Sequence, residues 1–286
     1  MQKRRLSWEW WILALCCAIG LCMQVFAHEA LPASATEKPI TLPILMYHSL
    51  LKHPIRANDY TVSPDVFAAD LEYLLTHGYQ TIWMQELIDY VYEGKALPKK
   101  PVIITFDDGH LNNLTYALPI LQERHAKAVL SVVGAYVEQA ECENDPNPQY
   151  AYVTWQDIRA LQASGCFEIQ NHSHNMHQVE GRMGITRKAG EALANYESVL
   201  LCDVLRMQQA LHDNAGLTPN TFTYPFGFVD HDAERILCEL GFRATLACYE
   251  RKNLITRNPG CLFSLGRYNR PAGISTARFM KKALGE

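Results

Sequence analysis

The stretch "PVIITFDDGH", residues 101–110, decides how the rest of the chain reads. Its first six residues carry no charge and are rich in β-branched side chains, which describes a strand covered on both faces. Two carboxylates and a glycine then end it. A strand of that kind belongs to a parallel sheet with helices packed against it, so helices are expected on both sides of it in sequence. Upstream, "QELIDYVYEG" has helical spacing. Further upstream, "SPDVFAADLEYLLTHG" offers Ser63 as N-cap, Pro64 at the first helical position, an apolar face of Phe67, Leu71, Leu74 and Leu75, and Gly78 as the stop. Strands are expected at "LPILMY" and "YQTIWM". Downstream, "NLTYALPILQER" reads as helix, "AKAVLSVV" as strand, "WQDIRALQASG" as helix and "CFEIQN" as strand. A long helix is expected over residues 186–213, then a strand and turn at "TFTYPFG" and a helix at "HDAERILCELG". Strands at "FRATLA" and "FSLGRYNR" and a helix at "STARFMKKAL" complete the series. Strand and helix alternating about seven times over about 250 residues predict a single-domain α/β fold whose parallel sheet closes, or nearly closes, into a barrel.

The chain has 286 residues, 48% of them apolar and 20% charged, with a net charge of −4. No run of Lys and Arg tracks a phosphate backbone, so no nucleic-acid partner is expected. The N-terminus reads differently from the body. A basic "MQKRR" precedes an uncharged apolar run over residues 10–23, and Val25 and Ala27 suit a signal-peptidase site. Residues 1–27 therefore read as a signal peptide or, with the apolar run continued, as a membrane anchor through residues 10–27. Either places the body outside the cytoplasm, secreted or in the cell envelope. Residues 28–40 read as a linker and residues 41–286 as the domain. Six of the nine cysteines fall in that domain, and one or two disulfides among them are expected, with pairing that sequence alone does not choose. No CxxC pair is present, so a thiolate zinc site is not expected.

Four polar motifs follow expected strands: "MYHS", "TFDDGH", "NHSHNMH" and "YPFG". In a parallel barrel they share one rim, where strand C-termini and their loops converge. Each motif alone has a bland reading, as a turn or a buried histidine; their shared placement does not. Two histidines and one carboxylate, with open positions for water, make a catalytic site for a divalent metal such as zinc. A metal there lowers the pKa of bound water and polarises a carbonyl, and a second carboxylate takes the water's proton. Asp107 and Asp108 can divide those tasks, since neighbouring side chains on an extended segment point apart. His48 is placed to protonate a leaving amine. Among His172, His174 and His177 the chemistry alone does not choose, because His174 shares a face with His172 on an extended segment.

"TFDDG", "NHSHNMH" and "TYPFG", in that order, resemble the polysaccharide deacetylases of carbohydrate esterase family 4 over residues 42–270. The resemblance implies a distorted (β/α)7 barrel and removal of acetyl groups from glycans such as chitin, peptidoglycan and poly-N-acetylglucosamine. It implies Asp107 as general base, with Asp108 and His172 as metal ligands. Most of that family places the second histidine ligand four residues after the first, where this chain has Met176. His177, five residues on, resembles the branch of biofilm poly-N-acetylglucosamine deacetylases, so the resemblance selects His177 and leaves His174 as the runner-up. That branch is circularly permuted and takes its acid histidine from the first strand, which points to His48. The backbone N–H of Phe226, just after the motif's proline, is implied as an oxyanion donor, and Tyr224 and Phe226 as lining of the sugar groove. The arginine that usually precedes this motif and contacts the base is absent, and Arg267 or Arg270 on the last strand is expected to supply its charge and hold the pKa of Asp107 down. The implied cofactor is Zn²⁺, with Co²⁺ or Ni²⁺ as alternatives, and the implied partner is an acetylated polysaccharide. Two other classes compete. A glycoside hydrolase needs carboxylates about 5–10 Å apart across a groove, which adjacent Asp107 and Asp108 suit poorly. A non-catalytic glycan-binding relative would have lost a ligand or the base, and none is lost here.

Overall fold

A computed structural model describes residues 38–53 and 57–285. The expected signal or anchor segment and nearly all of the expected linker lie outside the described residues. The strands in chain order are β1 (Ile40–Leu42), β2 (Ile44–Tyr47), β3 (Ser49–Leu50), β4 (Thr61–Val62), β5 (Gln80–Thr81), β6 (Pro101–Phe106), β7 (Ala128–Val132), β8 (Phe167–Asn171), β9 (Thr221–Thr223), β10 (Ala244–Leu246), β11 (Asn253–Ile255) and β12 (Tyr268–Asn269). The α-helices are α1 (Pro64–Thr76), α2 (Met84–Glu93), α3 (Leu118–Glu123), α4 (Gly134–Glu143), α5 (Trp155–Ala163), α6 (Leu193–Ala215), α7 (His231–Glu239) and α8 (Thr276–Leu284).

Seven strands pair in the order β10-β9-β8-β7-β6-β2-β12, every neighbour parallel. Strand β5 adds to β6 beside Pro101 and Val102. The sheet curls until its ends approach: Leu265, just before β12, donates its N–H to Thr245 O at 2.9 Å and accepts from Ala247 N at 2.8 Å. This is the distorted (β/α)7 barrel that the alternation and the resemblance predicted. Strand β6 is buried at all positions, as its uncharged run requires. Alternate residues serve two layers. Leu45, Val102, Ile104, Phe106, Ala128 and Leu130 pack with Phe67, Leu71 and Leu74 of α1 and with Phe279 of α8. Their neighbours Ile44, Ile103, Val129 and Ala244 cluster instead with Leu87, Ile88 and Val91 of α2. The carboxylate of Glu168, near the start of β8, accepts from the N–H groups of Met84 and Gln85 at 2.8 and 2.9 Å. That cap fixes the N-terminus of α2 near the N-terminal ends of the strands, leaving the opposite end of the barrel open.

Several expectations are corrected. The first strand among the described residues begins at Ile40, the last residue of the expected linker, and pairs antiparallel with β11, which alternation did not reveal. Helix α6 starts at Leu193 and not at 186. The preceding segment turns at Gly184 and Gly190, both at positive φ, and is tied by Arg182, whose guanidinium donates to both oxygens of Glu191 at 2.9 and 2.6 Å. Helix α4 went unforeseen, since it buries only Gly134, Val137 and Ala140 and so lacks a clear apolar stripe. The six cysteines of the domain are free thiols, which overturns the expected disulfides. Among the described residues no helix is long and apolar enough to cross a membrane.

Candidate active site

The C-terminal ends of β2, β6, β8 and β9, the segment around Cys248 and Asn269 of β12 line a cavity of about 830 Å³. His48, Asp107, Asp108, His172, His177 and Phe226 all face it. Asp107 closes strand β6 and donates its backbone N–H to Tyr47 O at 3.1 Å, so the ladder fixes its side chain. Asp108 then takes a left-handed conformation, φ 71°. The two carboxylates diverge because of that turn, and not by strand alternation as the sequence had implied. A non-glycine residue in that region costs of order 1–3 kcal/mol, and such positions concentrate at functional sites. Ser173, φ 71°, and Phe226, φ 57°, are two more on the same rim.

Three side chains converge on one point. Asp108 Oδ1 lies 3.6 Å from His172 Nε2 and 3.2 Å from His177 Nε2. The ligand atoms of Asp108, His172 and His177 all fall within 4.8 Å of one another. Each imidazole is oriented through its other nitrogen. His172 Nδ1 sits 2.8 Å from Thr223 O, and His177 Nδ1 lies 3.1 Å from the Tyr136 hydroxyl. Outer partners of this kind aim Nε2 inward, as histidine ligands require. Asp108 Oδ1 is buried and lacks a well-aligned hydrogen bond, an arrangement that a cation held among the three side chains would satisfy. The residues present therefore fit a divalent metal of the zinc type. Burial acts to raise the carboxyl of Asp108, but contacts with His110, His172 and His177 outweigh it and hold it well below the ordinary carboxylate value.

Asp107 is held differently. Its oxygens accept from Arg267 Nη1 at 2.7 Å and Nη2 at 2.8 Å, a two-point pair with both partners buried. Burial alone would raise Asp107; the Arg267 guanidinium, helped by His172 and His48, reverses that and lowers it. Of the two arginines expected near the base, only Arg267 reaches it. Arg270 instead grips Asp70 on α1, with Nε 2.6 Å from Oδ2, inside a network with Tyr47 and Thr276. Two other expectations change. Tyr224 is fully buried and packs with Phe222 at 5.7 Å between ring centroids, so it does not line the cleft, whereas Phe226 does. His174 is turned away from the ligand cluster because Ser173 breaks the extended run; its Nε2 meets Glu138 Oε1 at 2.9 Å. His48 borders the cavity with Nδ1 buried and unpartnered. Burial lowers its pKa, and the fields of Asp107 and Asp108 act against that shift.

The sequence reading missed two residues at the site. His110 Nε2 is 3.6 Å from Asp108 Oδ2, and its place in "DDGH" was signal enough to find it. Tyr136, which orients His177, lies on α4, and no local pattern singles it out.

The fold and the site define a class. The polysaccharide deacetylase family model matches residues 94–245, more than half of the chain, and the chain belongs to that family. Two relatives carry the name poly-beta-1,6-N-acetyl-D-glucosamine N-deacetylase. The one from Escherichia coli K12 is 28% identical over 189 residues, covering 59% of this chain and 28% of the relative. The one from Staphylococcus aureus MRSA252 is 21% identical over 193 residues, covering 68% of this chain and 63% of the relative. The chain thus spans less than two thirds of the length of each. Among solved structures, IcaB from Ammonifex degensii aligns with a TM-score of 0.68 at 25% identity, covering 87% of this chain and 97% of that one. A de-N-acetylase from Aggregatibacter actinomycetemcomitans has a TM-score of 0.71 at 22% identity, covering 84% and 99%, which supports the fold.

Proposed function

We propose that the protein is an exported, metal-dependent hydrolase that removes N-acetyl groups from a polysaccharide, with poly-N-acetylglucosamine as the substrate that its relatives' names point to. The observation that carries this reading is the convergence of Asp108, His172 and His177 beside a second carboxylate, Asp107, that Arg267 keeps ionised. Zinc held by these three residues, or cobalt or nickel in its place, would acidify water and polarise the acetyl carbonyl. Asp107 then acts as general base and takes the proton of the attacking water. Phe226 follows Pro225 in a single 3-10 turn in which Gly227 N–H is taken by Tyr224 O, and the N–H of Phe226 donates to the developing oxyanion. A preorganised donor of this kind is worth about 3 kcal/mol. His48, across the cavity, gives a proton to the departing amine. The exposed ring of Phe226 borders the cleft where a sugar would lie. Export rests on the basic and apolar pattern of residues 1–27.

The test is acetate release from N-acetylglucosamine oligomers by the purified protein. Release should stop with a chelator, return with added zinc, and fall by about 10²–10⁴-fold in Asp107→Asn, the usual contribution of a positioned base. Acetate release that survives Asp108→Ala combined with His172→Ala would sink the proposal.

A further inference from the structure

Helix α6 takes no part in the chemistry above, yet one of its carboxylates is aimed at the histidine loop. Asp203 Oδ1 accepts from His174 N and Asp203 Oδ2 from Asn175 N, each at 2.8 Å. These two residues lie inside the five-residue step that separates His172 from His177. The other side of the same loop is held by α4. Ser173 O accepts from Gly134 N at 3.1 Å and His174 O from Ala135 N at 2.7 Å. Nothing larger than glycine fits at 134, since a Cβ there would lie 2.6 Å from His174 Cδ2 and 3.1 Å from His174 Cα. Ser173 N donates to Asn171 Oδ1 at 2.8 Å, and Ser173 Oγ accepts from Met176 N at 3.2 Å. The Met176 side chain is buried with Tyr196, Leu200 and Val204 of α6.

We infer that Asp203 is a positioning residue for the metal site: its carboxylate clamps the outward bulge of residues 174–175 and so lets a five-residue step bring His177 back beside His172. The inference rests on the metal reading proposed above. A five-residue step has one residue too many for the short loop, and the surplus must go outward. Two successive N–H groups that point away from the ligand cluster need a common acceptor, and a carboxylate with two oxygens supplies it. His174 completes the tie through Glu138, which Arg206 holds in turn at 3.0 and 3.2 Å. The dense histidine cluster thereby divides its labour: His172 and His177 face inward, and His174 anchors the bulge between them.

The test is zinc titration into the metal-free protein against a chromophoric chelator, with the visible absorption of the cobalt-loaded protein as a second readout. Asp203→Asn keeps the volume but loses one acceptor. It should weaken zinc binding about 10–100-fold, the usual effect of losing a partner behind a metal ligand, and should alter the cobalt bands. Gln209→Ala, exposed on the same helix, should change neither. Asp203→Asn that binds zinc as the unmodified protein does, with the same cobalt spectrum, would overturn the inference. A measurement on the unmodified chain guards against a variant that fails to fold. In the metal-free protein the amides of His174 and Asn175 should exchange hydrogen slowly, and exchange at open-loop rates would overturn the clamp. Failure of the unmodified protein to bind zinc at all would overturn the metal reading, and this inference with it.

Discussion

Arg267 and Arg270 flank the two-residue strand β12, three residues apart, and their fates differ because residues an odd number apart on an extended segment lie on opposite faces. Arg267 is buried behind the cleft and pairs with Asp107; Arg270 faces α1 and Asp70. The pattern held the choice between them, but only alternation counted from a known inward residue could have made it. Two predictions separate their roles. Asp107 is held below the ordinary carboxylate value, so the base stays ionised as pH falls, and the stability it contributes is present above the unfolded value and lost as pH drops through the folded one. In Arg267→Ala the main force opposing burial is gone and only His172 and His48 still act against it, so the carboxyl rises, and the acid limb of the pH–rate profile should move to higher pH. Arg270→Met strands a buried Asp70 and should cost about 3–5 kcal/mol in denaturant unfolding, with the acid limb where it was. Tyr224 was readable in the same way. Thr221 and Thr223 share one face of β9, and Phe222 and Tyr224 share the other, which belongs to the core. Tyr224→Phe should therefore leave the Michaelis constant for glycan oligomers little changed, and a marked rise would return Tyr224 to the groove.

At the scale of elements, the strands that deliver chemistry were legible because each is a short run, charged only at Glu168 of β8, that stops at a polar motif. One element that supports them was not. Helix α4 contributes Tyr136 and Glu138 to the histidine loop from a stretch without amphipathic spacing. The turn at Asp108 had a local signal, since aspartate before glycine favours a left-handed bend, whereas Ser173 adopts one without any. The turn at Phe226 permits a clean experiment. Its backbone sits at φ 57°, while its ring packs 4.4 Å from that of His177. Phe226→Gly removes the ring and relieves a left-handed residue by about 1 kcal/mol, less the packing lost. If the N–H is the catalytic part, the catalytic rate constant on short oligomers should be retained. A collapse of that constant with an unchanged fold would assign the role to the ring instead.

For the whole molecule, the rim of the barrel gathers groups that are far apart in sequence, and a proton and the proposed metal would compete for the same atoms there. Burial acts to lower the imidazole of His172, but Asp108 and Asp107 outweigh it and hold it above its ordinary value in the metal-free chain. Zinc affinity should therefore fall as pH drops through that raised value, and loading should release protons, which calorimetry in buffers of different ionisation enthalpy would count. The nearly closed barrel was legible from alternation; the order of its strands was not, because no local signal shows which strands meet. Strand β2 pairs with β6 on one side and with β12 on the other, and Asp70 meets Arg270 across 200 positions of chain. During synthesis one edge of β2 must then wait for almost all of the remaining chain. An open, apolar strand edge invites pairing with other molecules, so a nascent or truncated chain lacking the segment around residue 268 should be prone to aggregation and dependent on chaperones. Refolding should likewise be slow for the chain's size, limited by the last contact to form and not by the many local ones made early.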